Sequence, residues 1–346
     1  MTDKLWPPAG EVELGYYELS THLLALELIA RDFPVTWHTK GFFTTEMGGE
    51  KVGFWCTRSN ANSAIGVKVS MRKDMTRDLL RSGGLSVAEG LMFRDVEKAI
   101  SYGKKLGYPL VVKPASGMKG RGVTVGITND DELRRAWRLA AGRRDTRRVI
   151  VEEMFEGEEA RFLVAGDHCV AVAKKVPPSV TGDGSSTVQE LIDAKNRDRL
   201  RNPHLKRRPI EVDPHRRDMI RTAGFTLDDV LPEGFRLLID HKAAFSAGGD
   251  SHDITDEVHP SLKKAAVDAA AAIPGLKVVG VDLLTKDFQS RAHRKNYIVV
   301  EVNSMPALGA HHFPWVGKPR NAAGSIIDYH EEVWGSRSRS RGFRRP

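Results

Sequence analysis

The sequence predicts an α+β fold built on antiparallel sheets. Segments with the helical spacing of apolar residues alternate with short Val-rich segments typical of strands, which excludes an all-α or an all-β protein. Several consecutive strands are separated only by short turns, as at Gly48-Gly49 and at Asp167, and such turns join antiparallel strands. A doubly wound parallel sheet would need helices at these places. The 346 residues are enough for about two domains.

The start of the chain predicts one helix and two strands. Between residues 15 and 31, apolar residues recur every three or four positions, which is typical of a helix with one face towards a core. Strands are predicted over 34–39 and 51–57, with Gly48-Gly49 as a turn. A segment this small buries little core alone, so we expect it to pack on the rest of the chain. The predicted core-facing residues of the helix are Tyr16, Leu19, Leu23, Leu26 and Ala30.

Capping signals mark several of the later helices. Asp95 precedes one helix as a capping residue. Asn129 with Glu132, three positions on, has the spacing of a capping box, and Thr187 with Glu190 repeats it. In chain order we predict helices over 72–81, 95–106, 129–141, 260–272 and 321–334, a further helix starting at 187, and strands over 108–114, 123–127, 149–154, 160–166, 168–176, 235–240, 277–285 and 296–303.

The positive charge of the chain is local. The 53 Lys and Arg outnumber the 45 Asp and Glu, which gives a net charge of +8. The irregular, proline-bearing segment 195–217 carries +6, and the tail 335–346, with the composition of disorder, carries +5. The rest of the chain therefore carries −3, so we do not expect nucleic acid as a partner. The 195–217 segment faces either an anionic substrate or solvent.

The sequence shows neither export nor disulfide signals. The N-terminus lacks the basic start and apolar run of a secretory signal, and no stretch of about 18 apolar residues predicts a membrane span. We therefore expect a cytoplasmic protein without a membrane partner. Cys56 and Cys169 are too few for a disulfide framework or a four-cysteine zinc site, so we expect both to be reduced.

A lysine and a glycine-rich loop stand next to each other in the first half of the chain. Lys113 ends a buried strand, and the loop 116–122 comes directly after it. Glycines let backbone N–H groups approach an anion closely, and the lysine adds a positive charge, so this pair suits a lid over phosphates. It is not a P-loop, because no Gly-Lys-Ser/Thr opens a helix here. The alternative is a tight turn with Lys119 and Arg121 exposed.

Two later strands carry oxygen ligands. Asp282 lies in the strand GVDLL, and Glu301 and Asn303 lie two positions apart in VVEVN, so the last two share a face. If the strands pair, two carboxylates and an amide oxygen converge, which suits Mg²⁺. The alternative is that the carboxylates are edge charges. Their apolar neighbours favour burial, and unpaired buried carboxylates are costly, so we predict a metal site.

A third feature is an acidic strand end. The strand VIVEEM carries Glu152 and Glu153, and Glu159 and Arg161 lie beyond a turn at Gly157. Carboxylates beside an apolar strand end can serve the hydroxyls of a nucleotide ribose, with backbone groups for adenine. A solvated hairpin rim explains the same pattern equally well.

Histidines and serines suggest no further chemistry. His252 and His259 flank ITDE, and His311-His312 come after the predicted metal strand, but their spacing fits no standard zinc site. We expect these histidines to contact substrate or to cap loops. No Gly-x-Ser-x-Gly elbow occurs, which argues against a serine hydrolase.

A series of ordered blocks resembles the ATP-grasp ligases, in particular the ATP-grasp module of cyanophycin synthetase and of related amino-acid and peptide ligases. The resemblance runs from Ser59 to His312. It rests, in chain order, on SNANSAIG, RKDMTRDLL, YPLVVKP, GRGV, VIVEE, VAVAKKVPPSVTGDGSSTVQELI, SAGGDSHDITDEVHP, GVDLL and EVNSMPALGAHH.

The resemblance implies two α+β lobes that hold ATP between them. It divides the chain into a small N-terminal α/β segment (1–58), an N-terminal ATP-grasp lobe (59–155), a C-terminal lobe with the metal site (156–334) and a basic disordered tail (335–346). It implies an ATP-dependent carboxylate–amine ligase: ATP phosphorylates a carboxylate, an amine attacks the acyl phosphate, and ADP and phosphate are released. A closing lid keeps water from the acyl phosphate.

The resemblance also implies roles for particular residues. Lys73 and Lys113 would hold ATP phosphates, under a lid that includes Ser116, Gly117, Gly120 and Gly122. Glu152, Glu153 and Met154 would form the adenine hinge, and Glu159, with Arg161 beside it, would meet the ribose. Lys175 would face the phosphates, and Ser246, Gly248 and Gly249 would lie near the acceptor and nucleophile. Asp282, Glu301 and Asn303 would hold Mg²⁺, with Mn²⁺ as the alternative.

The chain departs from the cyanophycin-synthetase pattern at the acceptor loop. Asp240, His241 and Ala244 stand where those enzymes carry paired arginines and an asparagine, which argues against an aspartate polymer as substrate. The C-terminal Mur-ligase-like module is absent, and about 57 residues replace the larger N-terminal domain. We therefore expect one ligation reaction rather than two.

The predicted partners are a small carboxylate donor and an amine acceptor, an amino acid or a short peptide. A homo-oligomer is compatible with this. Two alternatives stay open: a ligase acting on a macromolecular acceptor, protein or nucleic acid, and an inactive ATP-binding module. The intact Lys113, Asp282, Glu301 and Asn303 argue against the second.

Overall fold

A computed structural model describes residues 18–115, 122–142 and 148–341 of the chain. Every extended strand pairing within these residues is antiparallel, and a single parallel bridge joins His252 to Val316. The predicted α+β class with antiparallel sheets is therefore confirmed.

The chain begins with a helix and a four-stranded meander. Helix α1 (Leu19–Ala30) precedes strands β1 (Thr36–Thr39), β2 (Phe42–Met47), β3 (Glu50–Trp55) and β4 (Arg58–Ser59), which pair in chain order. The turn predicted at Gly48-Gly49 joins β2 to β3, but β2 itself was not predicted. The predicted apolar stripe of α1 is partly wrong: Leu24 and Leu28 are fully buried, whereas Leu26 and Ala30 are exposed. Tyr16 lies outside the described residues.

A second four-stranded sheet comes next, covered by two helices. Helices α2 (Ala64–Ser70) and α3 (Lys73–Ser82) precede this sheet, which consists of β5 (Gly90–Phe93), β6 (Leu110–Pro114), β7 (Thr124–Ile127) and β8 (Val149–Glu153), with α4 (Val96–Leu106) and α5 (Asp130–Ala141) packed on one face. The strand order is β5-β8-β6-β7, and we call this the β5–β8 sheet. Asp95 and Asn129 cap α4 and α5 as predicted, by accepting from the backbone N–H groups of Lys98 and Glu132. Helix α2 and strand β5 were not predicted.

The rest of the chain builds a five-stranded sheet with an insert. Strands β9 (Glu158–Ala165) and β10 (His168–Val176) lead into the insert: β11 (Ser179–Thr181), α6 (Val188–Arg201), α7 (Pro214–Thr222), β12 (Arg236–Leu238) and a 3-10 turn (Phe245–Ala247). Then come β13 (Asp250–Asp253), α8 (Pro260–Ala271), β14 (Val278–Thr285), β15 (Tyr297–Asn303), α9 (Gly309–His312) and α10 (Ala322–Arg341). The order of the five-stranded sheet is β13-β10-β9-β14-β15.

Two predicted segments differ from the structure. Residues 195–217 are not irregular throughout, because α6 extends to Arg201 and α7 begins at Pro214, capped by Asp213. The capping box of Thr187 and Glu190 at the start of α6 is confirmed. Helix α10 continues to Arg341, so the described part of the predicted tail is helical, and 342–346 lie outside the described residues.

The N-terminal segment shares its core with the end of the chain, as expected. Leu24 of α1 and Phe43 and Phe54 of the first sheet join one apolar cluster with Ile326 and Ile327 of α10. The same cluster includes Leu163 and Val278, from one end of the five-stranded sheet. The opposite face of that sheet packs against α8. The face of the five-stranded sheet opposite α8 is therefore covered by apolar residues at one end, and its other end carries polar groups.

Two further observations concern the cysteines and the apolar character of the helices. Cys56 and Cys169 are both free, as predicted. Within the described ranges, no helix has the length and apolar character needed to cross a membrane.

Candidate active site

Charged side chains occupy the end of the five-stranded sheet that the apolar cluster does not cover. Asp282 on β14 lies directly opposite Arg161 on β9 and directly opposite Glu301 on β15. Residues paired in this way project from the same face. The three side chains therefore stand side by side on what we call the charged face. The predicted pairing of the Asp282 and Glu301 strands is confirmed.

Asp282 is the buried centre of this face. Arg161 donates to its two oxygens at 2.5 and 2.8 Å, and Nζ of Lys175 lies 3.0 Å from Oδ2. Lys175 also contacts Glu159. Burial alone would raise the pKa of Asp282, but the charges of Arg161 and Lys175 outweigh it and hold that pKa well below its usual range. The two cations therefore favour the charged form of this carboxylate.

Gly280 makes room for Arg161. A Cβ atom at Gly280 would lie 2.7 Å from Cδ of Arg161 and 3.2 Å from Cβ of Pro306. The stem of Arg161 thus crosses β14 where that strand has no side chain, and its guanidinium reaches Asp282. Burial would lower the pKa of Arg161, but the carboxylate of Asp282 raises it. Sequence reasoning missed Gly280, although the residue stands within the GVDLL block.

Lys73 connects a helix start to the same face. It is the first residue of α3, and its Nζ donates to Oε1 of Glu301 at 2.8 Å. Its backbone N–H donates to the carbonyl of Ala115, at 3.3 Å, just before the glycine-rich loop. The structure thus brings Lys73, Glu301 and the start of that loop together.

Lys113 and Glu152 form a pair on the β5–β8 sheet. Lys113 lies opposite Ile150, and Glu152 lies opposite Val111, so both side chains project from the face that does not carry α4 and α5. They form an ion pair whose side chains are only 12% and 9% exposed. The structure therefore holds the Lys113 ammonium beside a carboxylate on this face.

The connection after β8 holds the predicted hinge. Glu153 points away from Glu152: its Oε1 accepts from the backbone N–H of Glu89 at 2.9 Å. The N–H of Met154 donates to the carbonyl of Pro109 at 3.3 Å. Gly157 packs so closely on Thr285 that a Cβ would lie 2.7 Å from its carbonyl oxygen. The hinge residues therefore join the two sheets at a tight crossing.

The predicted lid is only partly described. Ser116, Gly117 and Gly120 lie outside the described residues. Gly122 has a φ of +73°, and a Cβ there would lie 3.2 Å from the carbonyl oxygen of Leu139. The end of the loop is thus seated against α5.

The predicted acceptor loop is a short 3-10 turn. Gly248 ends it in the left-handed conformation, with a φ of +88°. A Cβ at Gly249 would lie 2.9 Å from the carbonyl oxygen of Ala244 and 3.0 Å from that of Val176. The loop therefore passes close to the end of β10, one residue after Lys175. The side chain of Ser246 lies outside the described part of the structure.

A set of buried ion pairs supports this loop, and we call them the loop pairs. Nζ of Lys195 lies 2.6 Å from Oδ2 of Asp250, and Arg199 binds the other oxygen of that carboxylate. Arg216 binds Asp240, with NH2 3.1 Å from Oδ2. Three cations of the basic 195–217 segment are therefore neutralised internally. Asp240, which departs from the cyanophycin-synthetase pattern, faces Arg216.

The predicted metal ligands fit a divalent cation. Asp282 and Glu301 supply two carboxylates on one face, and Mg²⁺ in proteins is commonly held by one or two carboxylates together with substrate phosphates. Asn303 is the third predicted ligand, and its buried Nδ2 has no hydrogen-bond partner. Because amide N and O atoms exchange places by a flip, this side chain is free to present its oxygen. No cluster of three or more His, Cys, Asp or Glu suited to a metal occurs within the described ranges.

The predicted loop histidines divide into two kinds. His259 caps α8 by accepting from the N–H of Ser261 at 3.2 Å, and Nε2 of His312 accepts from the N–H of Ala323 at 2.9 Å. Both are loop caps, as expected. His311 is buried, and neither of its ring nitrogens has a partner.

Asn62 is a structural residue that sequence reasoning quoted but did not explain. Its Oδ1 accepts from the N–H groups of Lys277 and Val278 at 2.7 and 3.0 Å, and its Nδ2 donates to the carbonyl of Val278 at 2.8 Å. The SNANSAIG block thus fixes the start of β14, the strand that carries Asp282. Its position beside Ser63, which caps α2, was the available signal.

Comparisons with known proteins agree with this geometry. Residues 71–179 match a family described as phosphoribosylglycinamide synthetase, ATP-grasp (A) domain. The chain is 33% identical over 315 residues to cyanophycin synthetase of Synechocystis sp., covering 89% of this chain and 36% of that protein. It is 30% identical over 326 residues to the bifunctional glutathione biosynthesis protein of Clostridium perfringens, covering 91% and 41% of the two chains.

A solved structure extends the comparison to the fold. The crystal structure of a bifunctional glutathione synthetase from Pasteurella multocida superposes with a TM-score of 0.71 at 28% sequence identity. The match covers 91% of this chain and 44% of that one. The chain spans less than half the length of the relatives it matches.

Proposed function

The chain belongs to the ATP-grasp ligases, and from that premise we propose that it is an ATP-dependent carboxylate–amine ligase. One observation carries the proposal: cations from separate elements meet carboxylates from adjacent strands on the charged face. These pairs are Lys73–Glu301, Lys175–Glu159 and the cluster of Lys175 and Arg161 with Asp282, and the β5–β8 sheet adds the pair Lys113–Glu152. Phosphoryl transfer needs this kind of positioning and charge neutralisation more than it needs covalent chemistry from the protein.

In the proposed reaction, a carboxylate oxygen of the donor attacks the γ-phosphorus of ATP, and ADP leaves. The amine of the acceptor then attacks the carbonyl carbon of the acyl phosphate. The C–N bond forms, the bond from carbon to the phosphate oxygen breaks, and phosphate and a proton are released. Lys73, Lys113 and Lys175 hold the phosphates during both steps.

The carboxylates change partners when ATP binds. Without ATP, Glu301 neutralises Lys73 and Asp282 neutralises Lys175. When phosphates lie beside these lysines, the phosphates supply the negative charge instead. Asp282, Glu301 and Asn303 then hold the divalent cation, which we propose to be Mg²⁺, with Mn²⁺ as the alternative. The metal supplies positive charge to the phosphoryl oxygens when bound. Arg161 keeps Asp282 oriented through its two hydrogen bonds.

The nucleotide also needs a base and a sugar site. We propose the Glu152–Met154 stretch as the adenine hinge and Glu159 as the ribose partner. The 3-10 turn with Gly248 and Gly249 faces the acceptor. An amino acid or a short peptide is the proposed substrate class, in line with what the names of the relatives describe. A cytoplasmic location and a homo-oligomer remain predictions.

A macromolecular acceptor is less well supported. Three cations of the basic segment, Lys195, Arg199 and Arg216, are engaged in the loop pairs and leave less free charge for a polyanion. A steep loss of binding to a polyanion with rising salt would revive this alternative, because each phosphate contact releases counterions.

An ADP-release screen tests the proposal directly. Purified protein is incubated with ATP, Mg²⁺ and amino acids or dipeptides, supplied as donor–acceptor pairs, and the nucleotide products are separated. We expect ADP and phosphate, formed only when donor and acceptor are both present. AMP with pyrophosphate would refute the acyl-phosphate route. Failure to bind ATP with Mg²⁺ would instead indicate an inactive binding module.

A further inference from the structure

Buried polar atoms without partners concentrate on the charged face. Within the described residues, such side-chain atoms occur on six residues, and three of these residues belong to this end of the five-stranded sheet and the helix beside it. Buried polar groups are almost always hydrogen-bonded, so an unpaired one in a native protein calls for a ligand or an ordered water. The atoms on this face are Oγ of Ser251, Nδ2 of Asn303, and Nδ1 and Nε2 of His311.

His311 lies near two residues of the sheet that carry opposite charges. Its carbonyl oxygen accepts from the N–H of Arg320 at 2.9 Å, and the Arg320 side chain binds Asp253 at 2.7 Å. Asp253 and Arg161 lie on opposite sides of Ala173 in the sheet, and both act electrostatically on the His311 ring. The ring therefore lies close to one negative and one positive residue on the same face of the sheet.

The His311 ring is neutral. Burial is the main cause, and the charge of Arg161 adds to it, so the pKa of His311 falls to about 3. A neutral imidazole has one N–H donor and one nitrogen acceptor. Both remain unpaired in a side chain that is only 1% exposed.

Ser251 stands next to the proposed phosphate site. It lies directly opposite Lys175 on the neighbouring strand, so the two side chains share a face. Its carbonyl oxygen accepts from the N–H of Trp315 at 2.6 Å, which ties the strand to the segment just after His311. Its fully buried hydroxyl has no partner.

We propose that Ser251 and His311 bind the amino group of the acceptor substrate, a primary amine of an amino acid or peptide. This inference rests on the proposed function, because it assigns the acceptor subsite of that reaction. An uncharged amine has two hydrogens to donate and one lone pair. The hydroxyl oxygen of Ser251 and the unprotonated ring nitrogen of His311 accept the two hydrogens, which leaves the lone pair free to attack the acyl phosphate.

The subsite offers an ammonium no free acid. The nearby acids are already occupied: Asp253 by Arg320, Asp250 by Lys195, and Asp282 by Arg161 and Lys175. A buried charge without a partner is costly, so an ammonium is disfavoured here. The subsite therefore selects the uncharged amine, which is the form that attacks an acyl phosphate.

A stability measurement separates a substrate subsite from a structural role. His311→Leu replaces two unpaired polar atoms with apolar ones of similar volume, so we expect the urea midpoint of the free protein to stay unchanged or to rise. His312→Leu is the matched control: this neighbouring ring does have a partner, and we expect its loss to lower the midpoint. If His311→Leu lowers the midpoint as much as the control does, an ordered water or an internal bond holds the ring, and the proposal fails.

Kinetics on the full chain provide the second readout, with the donor–acceptor pair found by the ADP-release screen. We expect His311→Leu and Ser251→Ala each to raise the KM for the acceptor by about tenfold while the KM for ATP is unchanged. His312→Leu should leave the KM for the acceptor as it is. An unchanged KM for the acceptor in both subsite variants would overturn the proposal.

Hydroxylamine distinguishes failure of the subsite from failure of the proposed function. This small nucleophile traps an acyl phosphate as a hydroxamate without any acceptor. If the wild-type protein forms no hydroxamate from ATP and any donor, the ligase reaction itself is wrong. If it forms hydroxamate but the variants keep the KM for the acceptor, only the subsite is wrong.

Discussion

Two ion pairs, Lys73–Glu301 on the charged face and Arg199–Asp250 among the loop pairs, differ in depth and in what they connect. Glu301 and Lys73 keep side-chain exposures of 30% and 18%, and their pair joins α3 to β15. Arg199 and Asp250 are 1% and 3% exposed, and their pair joins α6 to β13. Water therefore reaches the first pair more readily than the second.

This difference in burial distinguishes a pair whose charges can change partners from a pair with a structural role. A partly exposed pair gains little stability, because water competes for both partners, so it is free to exchange a carboxylate for a phosphate. A buried pair is costly to break, because the remaining charge is left unpaired in a dry environment. The Arg199–Asp250 pair, whose arginine also donates to the carbonyl of Gly249 at 3.4 Å, is therefore structural, and the Lys73–Glu301 pair is the one whose charges can change partners.

Glu301→Gln should have the largest effect, and on activity only. It removes a proposed metal ligand, so we expect the rate of ADP release to fall on the order of 10³-fold. The unfolding free energy should change by less than about 1 kcal/mol, because the pair with Lys73 is partly exposed. ADP-release kinetics and urea unfolding measure the two quantities.

Glu158→Gln is the control for this variant. It breaks a salt bridge to Lys174 at the exposed start of the same sheet and should leave turnover unchanged. Unchanged turnover in Glu301→Gln would refute the metal assignment, and a large loss of stability would show that the Lys73 pair is structural.

Asp250→Asn should act mainly on stability. It leaves Arg199 and Lys195 buried without a carboxylate, which should lower the unfolding free energy by about 3–5 kcal/mol in urea. Asp198→Asn is the control, because Asp198 is an exposed acid on α6, the helix that carries Arg199 and Lys195. It should change the unfolding free energy by less than about 0.5 kcal/mol. If the two variants unfold alike, the buried pair is not the support we describe.

The pH dependence of unfolding should be a smaller effect from the same insert. Burial, with the charge of Arg208 second, holds the pKa of His204 well below 6.5. Below pH 6.5 the unfolded chain therefore takes up a proton that the folded protein excludes, so stability falls as the pH is lowered. We expect His204→Gln to flatten this slope by up to about 1.4 kcal/mol per pH unit between pH 6.5 and 5.

Urea unfolding at several pH values measures that slope. His168→Gln, at a histidine whose side chain is 77% exposed, serves as the control and should keep the wild-type slope. A wild-type slope in His204→Gln would mean that this ring titrates in the folded protein.

Local signals predicted much of the framework. The caps at Asp95, Asn129 and Thr187 start helices where expected, because a cap depends on a few neighbouring residues. The shared face of Glu301 and Asn303 was expected from their spacing of two residues within one strand, and the strand of Asp282 does pair with it. Strand β2 was missed, since its sequence FFTTEM lacks regular alternation and gains its pairing from both neighbours.

The sequence alone determined the antiparallel α+β class, the two strands that carry Asp282 and Glu301 and the family to which the chain belongs, because these depend on short patterns in a fixed order. Only the tertiary structure decided which charges face each other. The cations of 195–217 form a basic patch in the sequence, whereas in the fold Asp240 and Asp250, distant in the chain, neutralise three of them. In the same way, His311 and Ser251 form the proposed subsite only because α9 and β13 come together in the fold. Contacts between distant residues depend on packing, which no local pattern records.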